Sequence, residues 1–223
     1  MGMVAPPAAL LVADWPDRSV PPSAEYLASQ VWTAERVRQE LLRDFHPWPR
    51  YEFIDGELLV SHAGDEVSPS PTRRHQRAVA LLLFLLGPYV ARHGLGEVLA
   101  SPLDVSLHPD EVRQPDVLVV PPDGPDGALS DEPVTRLLLA VEVLSPSTAR
   151  VDRVKKRESY ARHGVPEYWV VDCDARLIEV TRPGDPSRVE LYDRELRWHP
   201  TGAPEPLVID VAGYFARVGG RGR

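Results

Sequence analysis

Two carboxylates stand where burial would make them costly. Asp116 heads the run Pro115-Asp-Val-Leu-Val-Val120, and Glu142 interrupts Leu137-Leu-Leu-Ala-Val-Glu-Val-Leu144. An ionised carboxylate left unpaired in such a run is expensive, so each must meet a cation or take up a proton. If the two runs are neighbouring strands, side chains at matched positions lie ~5 Å apart. Two carboxylates at that separation repel unless a divalent ion lies between them, and ligation by oxygen alone suits Mg2+ or Mn2+ better than Zn2+. The competing arrangement places Asp116 at a solvated strand edge and pairs Glu142 with a core arginine.

The segment that follows Glu142 supplies an amine. Asp152, Lys156 and Tyr160 recur at i, i+4 and i+8, which puts them on one helix face from which a lysine can reach the acids. Residues 149–163 carry Arg150, Arg153, Lys155, Lys156, Arg157 and Arg162 against Asp152 and Glu158 only. That local positive excess, in a chain of net charge −8, reads as a phosphate-compatible stripe. For most of the arginines an ordinary solvated helix surface is the simpler reading.

These groups must be held by strands and helices, and the sequence marks both. Tyr51 to Val60 reads as a hairpin, because Asp55-Gly56 supplies the positive φ angles of a two-residue turn. A short helix is expected from Thr33 to Asp44, ending near Pro47 and Pro49, and residues 61–72 read as a loop. Arg77 to His93 reads as a helix that is apolar all round between Ala78 and Leu86, hence buried against a sheet, kinked at Pro88 and stopped at Gly94. Strands are expected at 96–100, 103–107, 117–120, 137–144, 167–171, 176–181 and 188–192. The helix between Ser147 and His163 starts at Ser147 or Thr148 and ends at Gly164. Alternation of strand and helix is an α/β signature. The chain of 223 residues divides into a Pro- and Ala-rich arm at 1–30, one domain at 31–218 and a Gly/Arg tail at 219–223.

Composition removes other chemistries. With 43% hydrophobic and 26% charged residues the chain can build a core, and its single cysteine, Cys173, excludes an intramolecular disulfide and a Cys-rich zinc site. A reducing, cytoplasmic location is the expectation. No apolar run approaches the ~18 residues of a membrane span, and no positive segment precedes the short apolar run at the start, so no secretory signal is expected. Ser145 and Ser147 lack a Gly-x-Ser-x-Gly elbow, no glycine-rich phosphate loop appears, and the histidines form no pair at ligand spacing on one helix. Tyr168 and Trp169 read as core aromatics, and the acidic balance argues against a general nucleic-acid coat protein.

Taken together, Pro115-Asp116, Glu142-Val-Leu-Ser-Pro-Ser-Thr148, Asp152 through Lys156 to Tyr160, and Gly164-Val-Pro-Glu-Tyr-Trp-Val-Val-Asp172 resemble the large bacterial family of putative restriction endonucleases in the PD-(D/E)xK nuclease superfamily. Asp55-Gly56-Glu57-Leu58 and His75 match that family's first motifs, and the likeness runs from about Tyr51 to Asp172, more weakly to Phe215. The resemblance implies an α/β fold with a restriction-endonuclease-like mixed sheet flanked by helices. It also implies Mg2+ or Mn2+ held by Asp116, Glu142, the Val143 carbonyl and Glu57. In the superfamily pattern the lysine sits two residues after the second acid, where this chain has Leu144, so Lys156 on the following helix takes that role, with Lys155 as the fallback. His75 would touch a phosphate or position Glu57, or else face solvent. The function implied is metal-dependent endonucleolytic hydrolysis of phosphodiester bonds in DNA, by a protein that pairs into homodimers. The alternatives are a catalytically inactive relative that binds nucleic acid or a protein partner, and a hydrolase of another phosphoester.

Overall fold

The computed structural model describes residues 21–43, 49–61, 72–122, 133–146 and 148–220. In chain order these form α1 (Ala24–Ser29), α2 (Ala34–Arg36) continued by a wider π-helical turn (Val37–Leu41), β1 (Arg50–Ile54), β2 (Glu57–Ser61) and α3 (Arg73–Arg92). Next come β3 (Glu97–Ala100), β4 (Val117–Val120), β5 (Leu139–Val143), α4 (Ala149–Val151), a second π-helical turn (Asp152–Lys156) and α5 (Arg157–Arg162). The chain continues through β6 (Glu167–Asp172), β7 (Leu177–Thr181), β8 (Glu190–Tyr192), β9 (Glu195–Trp198), β10 (Leu207–Asp210) and α6 (Val211–Val218).

Six strands form one mixed sheet in the order β3-β4-β5-β6-β7-β8, in which only β5 and β6 run parallel. A parallel pair needs a crossover, and the helical segment from α4 to α5 provides it. Two hairpins, β1-β2 and β9-β10, stand apart from this sheet.

Alternation along the strands divides the core between the two sheet faces. Val117, Val119, Leu139, Val141, Val143, Trp169 and Val171 face α3, α6, β9 and β10. On α3, Ala78, Leu82, Leu86 and Val90 repeat every four residues and are buried. On α6, Val211, Tyr214, Phe215 and Val218 do the same at i, i+3, i+4 and i+7, and the Tyr214 hydroxyl donates to the Ala78 carbonyl at 3.0 Å. Leu82→Ala would leave a cavity costing about 2–5 kcal/mol. The even-numbered residues Leu118, Val120, Ala140, Tyr168 and Val170 pack on the opposite face with Tyr160 and Val165. Asp116 and Glu142 share this parity and so this face. A third apolar cluster joins Leu27, Ala34, Val37 and Leu41 to Tyr51, Phe53 and Val112.

Local sequence explains most boundaries. Asp55 (φ 53°) and Gly56 (φ 76°) both take the left-handed conformation that the tight β1-β2 turn demands. Ser23, Thr33, Thr72 and Asp210 each cap a helix through the side chain. Gly96 (φ 115°) lies so close to the Val120 carbonyl that a Cβ there would stand 1.9 Å from its oxygen, which makes glycine obligatory where β3 joins β4.

The sequence expectations need four corrections. The strand expected at 103–107 is only a pair of isolated bridges, in which Val105 exchanges backbone hydrogen bonds with Arg113 and the Ser106 amide donates to the Val134 carbonyl. The helix α3 is not buried all round. A single sheet face covers only one side of a helix, and Phe84 is left 75% exposed. The arm expected at 1–30 contains α1, whose Leu27 is buried in the third cluster. Residues 195–218 form β9, β10 and α6, which the sequence reading left unassigned. Residues 1–20, the stop at Pro47, most of the 61–72 loop, Ser147 and the last three residues lie outside the described residues. Among the described residues no helix is long and apolar enough to cross a membrane.

Candidate active site

The register of β4 against β5 places Val117 opposite Val141, so Asp116, one residue ahead of β4, comes level with Glu142. Both side chains then project from the same sheet face. The Asp116 carboxylate is buried and fully engaged. Its Oδ1 accepts from Arg50 Nη1 at 2.7 Å, and its Oδ2 lies 2.9 Å from the Val143 backbone amide and 3.1 Å from His75 Nε2. Glu142 Oε1 accepts from Lys156 Nζ at 2.9 Å. Lys156 is 3% exposed and also meets Glu52 Oε2 at 2.6 Å and Asp152 Oδ1 at 3.2 Å. The remaining oxygen of Glu52, Oε1, accepts from the Gln114 backbone amide at 2.8 Å.

Each side chain arrives there for a local reason. Strand alternation turns Tyr51 and Phe53 into the third apolar cluster and leaves Arg50 and Glu52 on the other side of β1. His75 sits in the first turn of α3, fixed by the Thr72 cap. Asp152, Lys156 and Tyr160 are all buried on one side of the crossover helix. The π-helical turn at Asp152–Lys156 occurs where both charged members of that face point inward, a common setting for such turns. The first turn of the crossover is held by Ser145, whose hydroxyl meets Thr148 Oγ1 at 2.9 Å.

Opposed acids here have opposite acidities. Burial pushes the Asp116 carboxyl up, but the His75 hydrogen bond and the charges of His75 and Arg50, together with the Val143 amide, outweigh burial and hold it well below the usual range. Burial pushes Glu142 well up. Lys156 offsets only part of that, while the negative charges of Asp152, Asp116 and Glu52 add to it. Asp152 is also raised, chiefly by burial. Burial would lower Lys156, yet Glu142, Glu52 and Asp152 surround it with negative charge and keep it firmly an ammonium. Paired carboxylates driven apart in this way are a pattern of sites that handle protons and cations.

Of the residues expected at the site, the structure brings together Asp116, Glu142, Lys156, His75 and the Val143 backbone, while Glu57 stands elsewhere. Glu57 is 62% exposed and pairs with Lys155 on the outside of the crossover helix. His75 turns to Asp116, neither to Glu57 nor to solvent. Glu52 and Arg50 were not anticipated. Glu52 was detectable by the same signal that marks Asp116 and Glu142, an acid inside the apolar run Tyr51-Glu-Phe-Ile54. The basic stripe also takes another form. Arg153 pairs with Asp172 and Glu179, Arg157 with Glu179, Arg162 with Asp55 and Lys155 with Glu57, so most of its charge is met within the chain. The cation that meets Glu142 in the core is a lysine, not an arginine.

Among the described residues no three His, Cys, Asp or Glu side chains converge as a ready-made ion cage; the acids turn to Lys156, Arg50 and His75 instead. The donor set nonetheless fits a hard divalent cation. Four buried carboxylates, Glu52, Asp116, Glu142 and Asp152, outnumber the Arg50 and Lys156 cations, and the ionised form of Glu142 is disfavoured by its negative neighbours.

A mixed sheet flanked by helices that sets two acids and an amine on one face defines a nuclease-like α/β protein. The fold is shared with a solved structure from Anabaena variabilis ATCC 29413, described as a putative nuclease belonging to DUF820. The two agree at a TM-score of 0.64 and 20% identity, over 81% of this chain and 97% of that one. A comparison with curated proteins gives no match. The model of the Uma2 family, described as "Putative restriction endonuclease", matches residues 35–212, and the chain belongs to that family.

Proposed function

We propose that the protein is a metal-dependent endonuclease that hydrolyses phosphodiester bonds in DNA. The observation that carries this reading is the placement of Asp116 and Glu142 level with each other on one sheet face, with the Lys156 amine 2.9 Å from Glu142. Asp116 and Glu142, with the Val143 carbonyl, would hold Mg2+ or Mn2+, which when bound lowers the pKa of water and offsets charge on the scissile phosphate.

The chain's own groups supply the rest. Lys156 is held as an ammonium, so it does not take a proton; it donates hydrogen bonds and steadies negative charge developing on the phosphate or the attacking oxygen. Arg50, His75 and the Val143 amide keep the Asp116 carboxylate ionised and fixed in direction. The apolar residues around Tyr160 and Tyr168 limit water on the buried side, which strengthens each of these interactions.

Supercoiled plasmid incubated with the protein and millimolar Mg2+ or Mn2+ should be nicked, and a chelator should stop it. Asp116→Ala or Glu142→Ala should lower the rate at least about 100-fold. Equal nicking by wild type and both variants would remove the reading.

A second reading has one observation in its favour. The internal pairing of Lys155, Arg153, Arg157 and Arg162, in a chain of net charge −8, leaves little free positive charge on the crossover helix. A nuclease-fold protein that only binds nucleic acid or a protein would show retention without metal, and for DNA that retention would weaken as salt rises.

A further inference from the structure

We propose that strand β1 is the positioning element of this site, with Glu52 as the residue that sets the Lys156 amine and Arg50 as the residue that sets Asp116. This role rests on the reading of Asp116, Glu142 and Lys156 as the reactive groups.

The hairpin β1-β2 is not a member of the six-stranded sheet. Between strand β1 and the segment before β4, the backbone contact is the Phe53–Val112 pair, with N–H···O distances of 2.8 and 2.9 Å. That pair and the apolar cluster around Tyr51 and Phe53 seat the strand on the side away from the site. Arg50 and Glu52, two residues apart on one strand face, add two charged contacts at the site itself. Their charges mirror what they meet: Arg50 takes the carboxylate of Asp116 at 2.7 Å, and Glu52 takes the amine of Lys156 at 2.6 Å.

These contacts close a circuit. The Gln114 amide donates to Glu52, Glu52 accepts from Lys156, and Lys156 donates to Glu142. The backbone then leads to Val143, whose amide donates to Asp116, two residues beyond Gln114. Removing Glu52 opens the circuit at the point where the amine is aimed. Glu52 meets a backbone amide with one oxygen and the Lys156 ammonium with the other, which is the contact pattern of a group that holds the amine. Charge-assisted bonds of this kind, from a buried donor to a buried acceptor, are the ones able to fix direction.

The test compares Glu52→Gln and Glu52→Ala with wild type. Glutamine keeps neutral acceptor and donor groups at the same place, whereas alanine removes both contacts. Loss of a group that orients a reactive one costs about 10- to 100-fold in activity. Glu52→Ala should lower kcat for plasmid nicking by that factor, and Glu52→Gln should recover part of it. KM and the Mn2+ affinity measured by calorimetry should stay close to wild type in both variants, because Glu52 meets the amine and the Gln114 amide. Mn2+ affinity falling in step with kcat would make Glu52 a ligand and overturn the assignment, and so would an unchanged kcat.

A second measurement does not depend on cleavage. Thermal unfolding of Glu52→Gln, Lys156→Met and the double variant should show strong non-additivity. The matching set at Glu57 and Lys155 should show much weaker coupling, because that pair lies at the surface and is screened by solvent. If wild type does not cut DNA, the proposed function fails while this cycle still decides whether β1 holds the amine. Additive losses at Glu52 and Lys156 would end the positioning claim even if the enzyme is active.

Discussion

Lys155 and Lys156 are consecutive in the chain, on the same π-helical turn, yet they live in opposite electrostatic regimes. Lys156 is buried among Glu52, Glu142 and Asp152. Lys155 reaches the outer side of the hairpin and pairs with Glu57, which is mostly in water. Beside it Arg162 pairs with Asp55 and Arg153 with Asp172. The inner set has more carboxylates than cations and no solvent to screen them; the outer set is matched charge for charge and screened. A lysine's contribution thus follows from what surrounds it far more than from its type.

The comparison is broken most directly at Lys156. Lys156→Ala strands three buried carboxylates and should destabilise the protein by about 3–5 kcal/mol, read by denaturant unfolding at neutral pH, with nicking lost as well. A loss no larger than that of its neighbour would show that the inner cluster is not dry.

Acid titration sharpens the contrast at the next level. The folded-state pKa of Asp116 is depressed, so the stability it contributes is complete above about pH 4, the ordinary aspartate value. That stability is lost as pH falls further, toward and through the folded value. The stability gap between wild type and Asp116→Asn should therefore narrow as pH falls below about pH 4. A gap that does not narrow in acid would mean that the Arg50, His75 and Val143 contacts do not favour the ionised form.

The smallest effect belongs to the outer pair. Lys155→Ala should cost no more than about 1 kcal/mol and lose what effect it has as salt is raised, with nicking close to wild type. A large loss of nicking there would move the reactive amine from Lys156 to Lys155.

The inner set was legible because burial leaves a mark in sequence. Acids inside apolar runs at 116 and 142, and a charged helix face at 152, 156 and 160, announce themselves wherever local patterning makes their environment unusual. Glu52 carries the same mark, while Glu57 follows a conspicuous turn; β1 is buried on both faces from Tyr51 to Ile54, so its pattern does not say which acid turns to the site. The fates of Arg153 and Arg157 were not legible, since Asp172 and Glu179 reach them only after the sheet forms. The same limit hid the exposure of Phe84, because an apolar helix does not say how much of its girth a sheet will cover. Strands β9 and β10 each carry charge and so lack the continuous apolar run that marks β4.

The circuit from Gln114 through Glu52, Lys156 and Glu142 to Asp116 draws on both ends of a long stretch of chain. A polypeptide released from the ribosome short of residue 156 would keep Arg50 and His75 for Asp116 but would leave Glu52 and Glu142 without the ammonium that answers them. The inner cluster is therefore completed late in synthesis, by the same crossover helix that carries the chain from β5 to β6.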